Sequence, residues 1–440
     1  MLYDDICAIA TPPGTSALSI IRCSGSEAHD KLLKIVKIKN IKYRRVYLKM
    51  IEISDNLHDD IMIVFYKNPR SYTGEDMAEI FLHGNPLILS GFLNLLKKNG
   101  FKQAEPGEFT KRAFLNGKLS LLKAESIASL IDSQSKRALE VASSVYDGNL
   151  DKEINILKDY LIKLLSEIEV ELNYPEDVTN DYNLYLGELD KIISFSEDLI
   201  KKASSGIILS EGIRTAIIGN TNTGKSSLLN ALSEKDRAIV TEEHGTTRDT
   251  IEEKIIIDGY FFKIVDTAGI RETTNRIEKI GINRSLNELK KADLVLFLID
   301  LSNPVNDIEL YEKYKFFAAK HIVIGNKKDI KNSKLSICDL TISAKNGEGI
   351  DELKKLMISK IIDLTSSGDG VYFLNQRQKS CVERVLELLL NIRDSIKEGI
   401  SPDILSTLVQ QSLNIMEEMT GKIHSEEVID KIFSNFCVGK

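Results

Sequence analysis

The sequence has no cysteines spaced as a CxxC pair and no long apolar run. Its five cysteines are scattered along 440 residues, which suits a reducing compartment better than a disulfide framework. No segment approaches the ~18 apolar residues that a membrane span requires. The first residues also lack the basic and then apolar pattern of a signal peptide. We therefore expect a cytoplasmic protein with no membrane association.

The chain also lacks internal repeats, low-complexity tracts and an excess of positive charge. Its formal net charge is −7, which argues against wholesale coating of nucleic acid but leaves room for a local basic patch. Hydrophobic residues make up 42% of the chain and charged residues 28%, as in a globular protein. At this length we expect roughly two to four domains, each with its own core.

The first informative feature that is present is the segment GNTNTGKS at residues 219–226. It fits the pattern G-x-x-x-x-G-K-[ST], in which backbone N–H groups surround nucleotide phosphates, the lysine binds the outer phosphates and the hydroxyl binds Mg²⁺. The lysine is Lys225 and the magnesium ligand is Ser226. An apolar strand over 213–219 precedes the loop and a helix over 226–232 follows it, so a chance Gly-Lys-Ser in a turn is the weaker interpretation.

Two later motifs identify the nucleotide as GTP and not ATP. DTAG follows at 266–269, and NKKD at 326–329 comes directly after an apolar strand. The carboxylate of Asp329 can accept two hydrogen bonds from the N–H edge of guanine, whereas adenine would leave that anion unsatisfied. SAK at 343–345 follows another strand and can cover the same base. The predicted GTP-binding residues are Asn222, Thr223, Gly224, Lys225, Ser226, Ser227, Thr241, Glu242, Glu243, His244, Gly245, Thr246, Thr247, Asp266, Thr267, Ala268, Gly269, Asn326, Lys327, Asp329, Ser343, Ala344 and Lys345.

The hydrolytic residues depart from the Ras-like pattern, in which a glutamine orients the attacking water. That glutamine follows the DTAG glycine directly, and here the position holds Ile270, which has no amide. Another group must therefore act, and Glu278 or Glu272 in the segment 271–282 is a candidate. Either glutamate can equally be an ordinary solvated charge.

The phosphate loop also contains an asparagine, Asn222. Its amide oxygen suits a monovalent cation, which would spread charge over the transferring phosphate as an arginine finger does. The alternative is that Asn222 only caps the loop. The segment 240–249 is the candidate switch that carries a threonine to Mg²⁺, and both Thr246 and Thr247 qualify.

The order of patterns divides the chain into four blocks. Residues 1–118 mix short β-rich runs with Gly and Pro turns, which predicts an α+β domain. Residues 119–211 and 364–440 have the apolar spacing of helices, whereas 212–363 alternate strands with helices and predict a mainly parallel sheet. The predicted fold is therefore multidomain, with an N-terminal α+β domain, a discontinuous helical domain and an inserted Ras-like P-loop domain. We expect the helices that flank the insertion to pack together.

Several motifs along essentially the whole chain match one known family. They are ATPPG at 10–14, TGED at 73–76, PGEFTKRAFLNGKL at 106–119, the phosphate loop, GTTRD at 245–249, DTAGIRE at 266–272 and FCVGK at 436–440. The chain thereby resembles the MnmE (TrmE) family of tRNA modification GTPases. It departs from the family in HGNP at 83–86, where HGG is common, and in the acidic residues and histidine at 242–244.

The resemblance implies an activity, cofactors and partners. Members hydrolyse GTP with Mg²⁺ and K⁺ and act with the flavoprotein MnmG, which brings the FAD. Together they build an aminomethyl or carboxymethylaminomethyl group on carbon 5 of the wobble uridine of certain tRNAs. The one-carbon unit comes from 5-formyl- or 5,10-methylene-tetrahydrofolate at the N-terminal domain, which also forms a homodimer. The alternative is a ribosome-assembly or RNA-binding switch GTPase, which needs no folate site.

The same resemblance implies roles for individual residues. The folate contacts are Arg22, Glu79, Lys118 and Lys440. The potassium ligands are Asn222, Thr241, Glu243 and Thr246, the magnesium ligands are Ser226 and Thr247, and the catalytic residues are Glu278 and Lys225. Cys437 is either a catalytic thiol or a small buried apolar residue.

Overall fold

The computed structural model describes residues 4–173, 182–233, 252–266, 289–317, 320–333, 335–365, 372–422 and 425–439. Two compact units are present: Met1–Ala128 with Glu417–Lys440, and Ser129–Met416. The boundaries of the four sequence blocks stay predictions. Among the helices of the described ranges, none combines the length and the apolar character that crossing a bilayer would take.

The first unit contains a six-stranded sheet with the strand order β3-β4-β5-β2-β1-β6. All neighbouring strands are antiparallel except β1 and β6, which are parallel. Helices α1 (Ala28–Val36) and α2 (Pro86–Lys98) share one hydrophobic core with this sheet. The strands are β1 (Ile6–Ile9), β2 (Ser16–Ser24), β3 (Val46–Ser54), β4 (Leu57–Tyr66), β5 (Met77–Gly84) and β6 (Lys102–Gln103).

Side chains alternate along β2 between the core and the opposite face of the sheet. Ile21 and Cys23 are fully buried in the core shared with α1 and α2. Since successive side chains of a strand point to opposite faces, Arg22 lies on the other face of the sheet. Its register partner on β5 is Glu79, so both residues share that face.

The last residues of the chain pack into this same unit. Helices α3 (Glu108–Leu115), α4 (Leu121–Asp132) and α13 (Glu426–Phe433) contribute Phe114, Leu121 and Phe433 to one core. Gly107 makes the contact possible, because a Cβ on it would lie 2.4 Å from the carbonyl oxygen of Phe433. Pro106, the residue before Gly107, forms an isolated antiparallel β-bridge with Val438.

The second unit contains a six-stranded sheet with the order β12-β11-β10-β7-β9-β8. Only β8 and β9 pair antiparallel, so the predicted mainly parallel sheet is confirmed. β10 is buried along nearly its whole length, as expected for a central parallel strand. The strands are β7 (Ile213–Ile218), β8 (Glu252–Ile257), β9 (Tyr260–Asp266), β10 (Leu294–Asp300), β11 (His321–Asn326) and β12 (Leu340–Thr341). The helices of this part are α8 (Lys225–Ser233), α9 (Val305–Tyr314) and α10 (Ile350–Thr365).

Helices that precede and follow the α/β part pack against each other, as the insertion requires. α7 (Tyr182–Glu211) leads into β7, and it contacts α11 (Gln376–Lys397) on the far side of the insertion. Gly206 allows a close approach, because a Cβ there would lie 2.6 Å from the carbonyl oxygen of Phe373. The remaining helices are α5 (Lys136–Tyr146), α6 (Asn149–Asn173) and α12 (Pro402–Thr420).

Candidate functional site

The phosphate loop lies at the carboxyl end of the parallel strands. It joins β7 to α8, and β7 is flanked in the sheet by β10 and β9. Asp300 ends β10 and is in register with Asn326, which ends β11. The motifs predicted from the sequence therefore meet at one edge of the sheet, where open α/β sheets bind ligands.

The backbone of the loop needs its two glycines. A Cβ on Gly219 would lie 2.9 Å from the carbonyl oxygen of Leu298, and one on Gly224 would lie 2.3 Å from Nδ2 of Asn326. Gly224 and Asn222 have φ angles of +98° and +66°. Asparagine tolerates this left-handed conformation better than most residues, so the loop conformation alone accounts for an asparagine at 222.

The side chain of Lys225 folds back over its own loop. Its Nζ donates hydrogen bonds to the carbonyl oxygens of Gly219 at 2.9 Å and Asn220 at 2.8 Å. The buried Thr223 hydroxyl donates to the same Asn220 oxygen at 2.9 Å. α8 begins at Lys225, so its first N–H groups adjoin the loop and favour an anion there.

Asn326 connects the three base and phosphate motifs. It is 2% exposed, and its Nδ2 donates to the carbonyl oxygen of Thr223 at 2.7 Å. Its Oδ1 accepts from the backbone N–H of Ala344 at 3.0 Å. Nearby, the Ser343 hydroxyl donates to Oδ1 of Asp329 at 2.7 Å. The carboxylate predicted to read guanine is therefore oriented by the segment predicted to cover the base.

Two aspartates that brace this edge were missed in the sequence. Asp307 is buried and accepts from Nδ2 of Asn220 at 2.7 Å and from the backbone N–H of Asp300 at 2.8 Å. Asp300 pairs with Lys327 at 2.6 Å. Partial burial tends to raise the pKa of Asp300, but hydrogen bonds from Lys327 and Ser302 outweigh it and hold the pKa below its ordinary value. The sequence offered a signal only for Asp300, an aspartate at the end of an apolar strand.

These elements surround an open cavity of about 440 Å³. Its walls include side chains from every described motif: Asn222, Lys225, Ser226, Lys327, Asp329 and Lys345. A lysine, hydroxyls and helix N–H groups at one end suit phosphates and their metal ion, and Asp329 suits a base with N–H donors.

Several predicted residues lie outside the described part of the chain. For Asp266 the strand position at the end of β9 is described, but its side chain is not. The residues outside are Thr241, Glu242, Glu243, His244, Gly245, Thr246, Thr247, Thr267, Ala268, Gly269, Ile270, Glu272, Glu278 and Lys440. Their predicted roles stay predictions.

The first unit brings together two of the predicted folate residues. Nε of Arg22 donates to Oε1 of Glu79 at 3.0 Å, and the two side chains are 18% and 19% exposed. The Tyr66 hydroxyl donates to Oε2 of Glu79 at 3.2 Å. Burial and the neighbouring Glu79 carboxylate raise the pKa of Tyr66. Tyr66 was not predicted, since nothing in its sequence neighbourhood marks it.

The end of the chain reaches this ion pair. Nη1 of Arg22 donates to the carbonyl oxygen of Gly439 at 3.2 Å. Gly439 has φ +88°, and a Cβ on it would lie 2.3 Å from the carbonyl oxygen of Ile9. Lys440 follows directly in the sequence. Cys437 is exposed, so the alternative of a buried apolar residue is wrong, while its role as a thiol stays a prediction.

Lys118 lies at a neighbouring loop, and no direct bond between Lys118 and the ion pair is described. Its Nζ donates to the carbonyl oxygen of Pro69 at 2.9 Å. Pro69 belongs to the loop between β4 and β5, which also carries Tyr72, whose ring centre is 5.6 Å from the guanidinium carbon of Arg22. Tyr72 is a second aromatic neighbour of the ion pair that was not predicted.

Comparison with known proteins supplies the family. The family model described as "GTP-binding protein TrmE N-terminus" matches residues 5–118, and the one described as "MnmE helical domain" matches residues 121–437. The curated tRNA modification GTPase MnmE of Thermotoga maritima is 40% identical over 451 residues, covering 99% of this chain and 100% of that protein. The chain belongs to the MnmE family.

Membership in the MnmE family confirms the predicted fold class and the predicted class of enzyme, a GTPase. MnmE of Aquifex aeolicus is 39% identical over 458 residues and covers both chains completely. Among solved structures, the FeoB G-domain from Methanococcus jannaschii is 27% identical. That match covers 34% of this chain and 97% of that one, with a TM-score of 0.28.

Proposed function

We propose that this chain is a K⁺-stimulated GTPase that acts in the cytoplasm, as a homodimer with an MnmG flavoprotein, on the wobble uridine of certain tRNAs. The observation that carries the proposal is the joined nucleotide pocket, where Asn326 bonds both the phosphate loop and the segment beside Asp329. Family membership supports tRNA as the substrate.

GTP would bind with its phosphates on residues 219–226 and its base at Asp329. Lys225 would exchange its bonds to loop carbonyls for bonds to the outer phosphates. Ser226 and Thr247 would hold Mg²⁺, which neutralises charge on the phosphates when bound. Ser343 contacts Oδ1 of Asp329, so acceptor positions on this carboxylate are left for the N–H edge of guanine.

Potassium would bind at Asn222 with main-chain oxygens of Thr241 and Glu243 and the region of Thr246. The support is the position of Asn222 in the wall of the phosphate end of the cavity. A cation there favours the transition state of phosphoryl transfer, in which negative charge spreads over the phosphate oxygens. Glu278 would orient the attacking water.

The folate donor, a 5-formyl- or 5,10-methylene-tetrahydrofolate, would bind at the Arg22–Glu79 pair. A pterin ring presents paired N–H donors, and the carboxylate of Glu79 has acceptor positions beyond the bonds from Arg22 and Tyr66. Lys118 and Lys440 would add positive charge for the carboxylates of the folate tail. FAD would come only with the MnmG partner.

The test is a reconstituted reaction with this protein, an MnmG flavoprotein, tRNA, GTP, 5,10-methylene-tetrahydrofolate as the carbon donor, and ammonium or glycine as the donor of the nitrogen in the new group. Mass spectrometry of the wobble nucleoside should show the carbon-5 substituent in KCl and much less of it in NaCl. GTP turnover should follow the same salt preference, and Asn222→Ala should remove that preference. An unchanged uridine in the complete KCl reaction, with tRNA still bound, would favour an RNA-binding switch GTPase instead.

A further inference from the structure

The second unit carries two exposed aromatic rings away from the nucleotide cavity. Phe316 is 84% exposed and Phe317 is 46% exposed, in the short helical turn Lys315–Phe317 that follows α9. Tyr314, directly before the turn, is 6% exposed and packs in the core beside Phe297. The turn is therefore anchored, and its two phenylalanines are not core residues. Two adjacent exposed rings form a contiguous apolar surface, which is the kind of surface that binding sites present.

Lysines surround these rings. Nζ of Lys315 is 5.2 Å from the ring centre of Phe316, and Nζ of Lys290 is 5.7 Å from that of Phe317. Residues 311–321 hold three lysines and one glutamate, in a chain whose net charge is −7. That glutamate, Glu312, pairs with Lys315 at 2.6 Å. We call the following residues the basic aromatic patch: Lys290, Lys313, Lys315, Phe316, Phe317 and Lys320.

His321, next to the patch in the sequence, also lies near positive charges. Burial lowers the pKa of His321, and the charges of Lys360 and Lys315 lower it further against the opposing effect of Asp339. Nζ of Lys320 donates to the carbonyl oxygen of Lys360 at 2.7 Å. Lys360 of α10 therefore lies close to Lys320 and His321.

The patch is at the opposite end of the sheet from the nucleotide. Lys320 directly precedes β11, and its carbonyl oxygen accepts from Val295 at the start of β10. The cavity lies at the other ends of these strands, where Asp300 and Asn326 are found. No described residue of the patch lines the nucleotide cavity, so a ligand on the patch would not compete with the nucleotide for the same side chains.

We propose that the basic aromatic patch binds an unpaired stretch of tRNA, with a base stacked on Phe316 and phosphates beside the lysines. Proteins read single-stranded RNA by stacking its bases on aromatic rings and by neutralising its backbone with lysine and arginine. An acidic protein would use the positive charges but would gain little from the exposed aromatic rings. The proposal rests on the proposed function and names the surface by which this chain holds its RNA.

Binding of fluorescein-labelled deacylated tRNA to the full-length protein tests the patch. The double variant Phe316→Ala/Phe317→Ala should weaken binding about tenfold or more, since stacking stabilises each base by about 1–3 kcal/mol. Phe316→Tyr should keep wild-type affinity because it keeps the ring. Lys290→Gln and Lys315→Gln should each reduce the slope of log K against log salt by about 1. GTP turnover without RNA should stay unchanged in all four.

The controls are Leu87→Ala, which removes a side chain that is 77% exposed, and Lys191→Gln, an exposed lysine. Both should bind tRNA as the wild type does. If the double alanine variant binds tRNA with wild-type affinity, or the wild type shows no saturable binding at low salt, the patch proposal is overturned. It is equally overturned if the double alanine variant binds tRNA normally and is impaired only in its interaction with the flavoprotein. The wobble-nucleoside assay reports on the proposed function separately, since intact modification by a patch variant with unchanged affinity leaves that function standing.

Discussion

The nucleotide pocket and the Arg22–Glu79 cluster are assembled in different ways. The pocket comes from short contiguous motifs at the ends of neighbouring strands, and Asn326 and Asp307 brace it from inside. The cluster comes from two facing strands and from Gly439, which is 417 positions from Arg22 in the sequence. The pocket is thus pre-formed by bonds among residues at the ends of adjacent strands, whereas the contact of the cluster with Gly439 depends on the chain end staying docked.

The largest effect should come from removing the phosphate cation of the pocket. We expect Lys225→Ala to lower GTP affinity by roughly 100-fold or more, because charge-assisted hydrogen bonds contribute about 1.5–3 kcal/mol each. Titration with a fluorescent GTP analogue measures this, and Lys331→Ala, an exposed lysine beyond the base loop, is the control. Folate binding should be unchanged, since Lys225 and the cluster are in different units. Near-normal nucleotide affinity would overturn the assignment of the loop.

Substitutions in the Arg22–Glu79 cluster should weaken folate binding and leave GTP binding unchanged, the reverse of the result for Lys225→Ala. We expect Arg22→Ala to weaken binding of 5-formyltetrahydrofolate by about 10- to 100-fold, because it leaves Glu79 without its charged donor. Glu79→Gln keeps the shape of the side chain and should weaken folate binding somewhat less than Arg22→Ala does. GTP affinity should not change in either variant. Equilibrium dialysis with the full-length protein measures folate binding, and Glu52→Gln on the outer strand β3 is the control. A wild-type folate affinity for Arg22→Ala would place the donor elsewhere.

The third prediction tests whether the bonds of Asn326 order the phosphate loop before GTP binds. Asn326→Ala removes the bonds to Thr223 and Ala344 and leaves a buried N–H without a partner, which costs about 1–3 kcal/mol. We expect nucleotide affinity to fall about tenfold and hydrogen exchange of the phosphate loop to increase in the nucleotide-free protein. Asn346→Ala, an exposed neighbour, should do neither. Lower affinity with unchanged exchange would mean that Asn326 acts only on the bound base.

The difference in construction also explains what the sequence could predict. The glycines at 219 and 224, Lys225 and Asp329 were readable because a phosphate loop and a base loop need particular residues within a few positions. The parallel sheet was readable from its alternating strands and helices. Asp307 and Tyr66 were not, because their partners are distant in sequence and a buried aspartate or a strand tyrosine has no local signature. The contact between Arg22 and the chain end was expected only through the family resemblance.

The smallest effect concerns the ion pair of Asp300 with Lys327, which fixes the start of the base loop. The pKa of Asp300 in the folded protein is below its ordinary value of 3.8. Folding therefore favours the ionised carboxylate, and this stabilisation is present above pH 3.8 and is lost as the pH falls through the lower folded value. Its size should be below about 1 kcal/mol, as for other partly exposed pairs.

Asp300→Asn removes that titration and keeps the side chain near its size. We expect the urea midpoint of unfolding to be lower than in the wild type at pH 6 and the two midpoints to converge towards pH 3. Asp258→Asn, in the exposed turn between β8 and β9, should leave the difference between the two pH values as in the wild type. If Asp300→Asn instead lowers the midpoint equally at both pH values, the carboxylate acts as a neutral hydrogen-bond acceptor. The stability of the pocket would then not depend on the charge of Asp300, whereas the Arg22–Glu79 cluster is held by an ion pair.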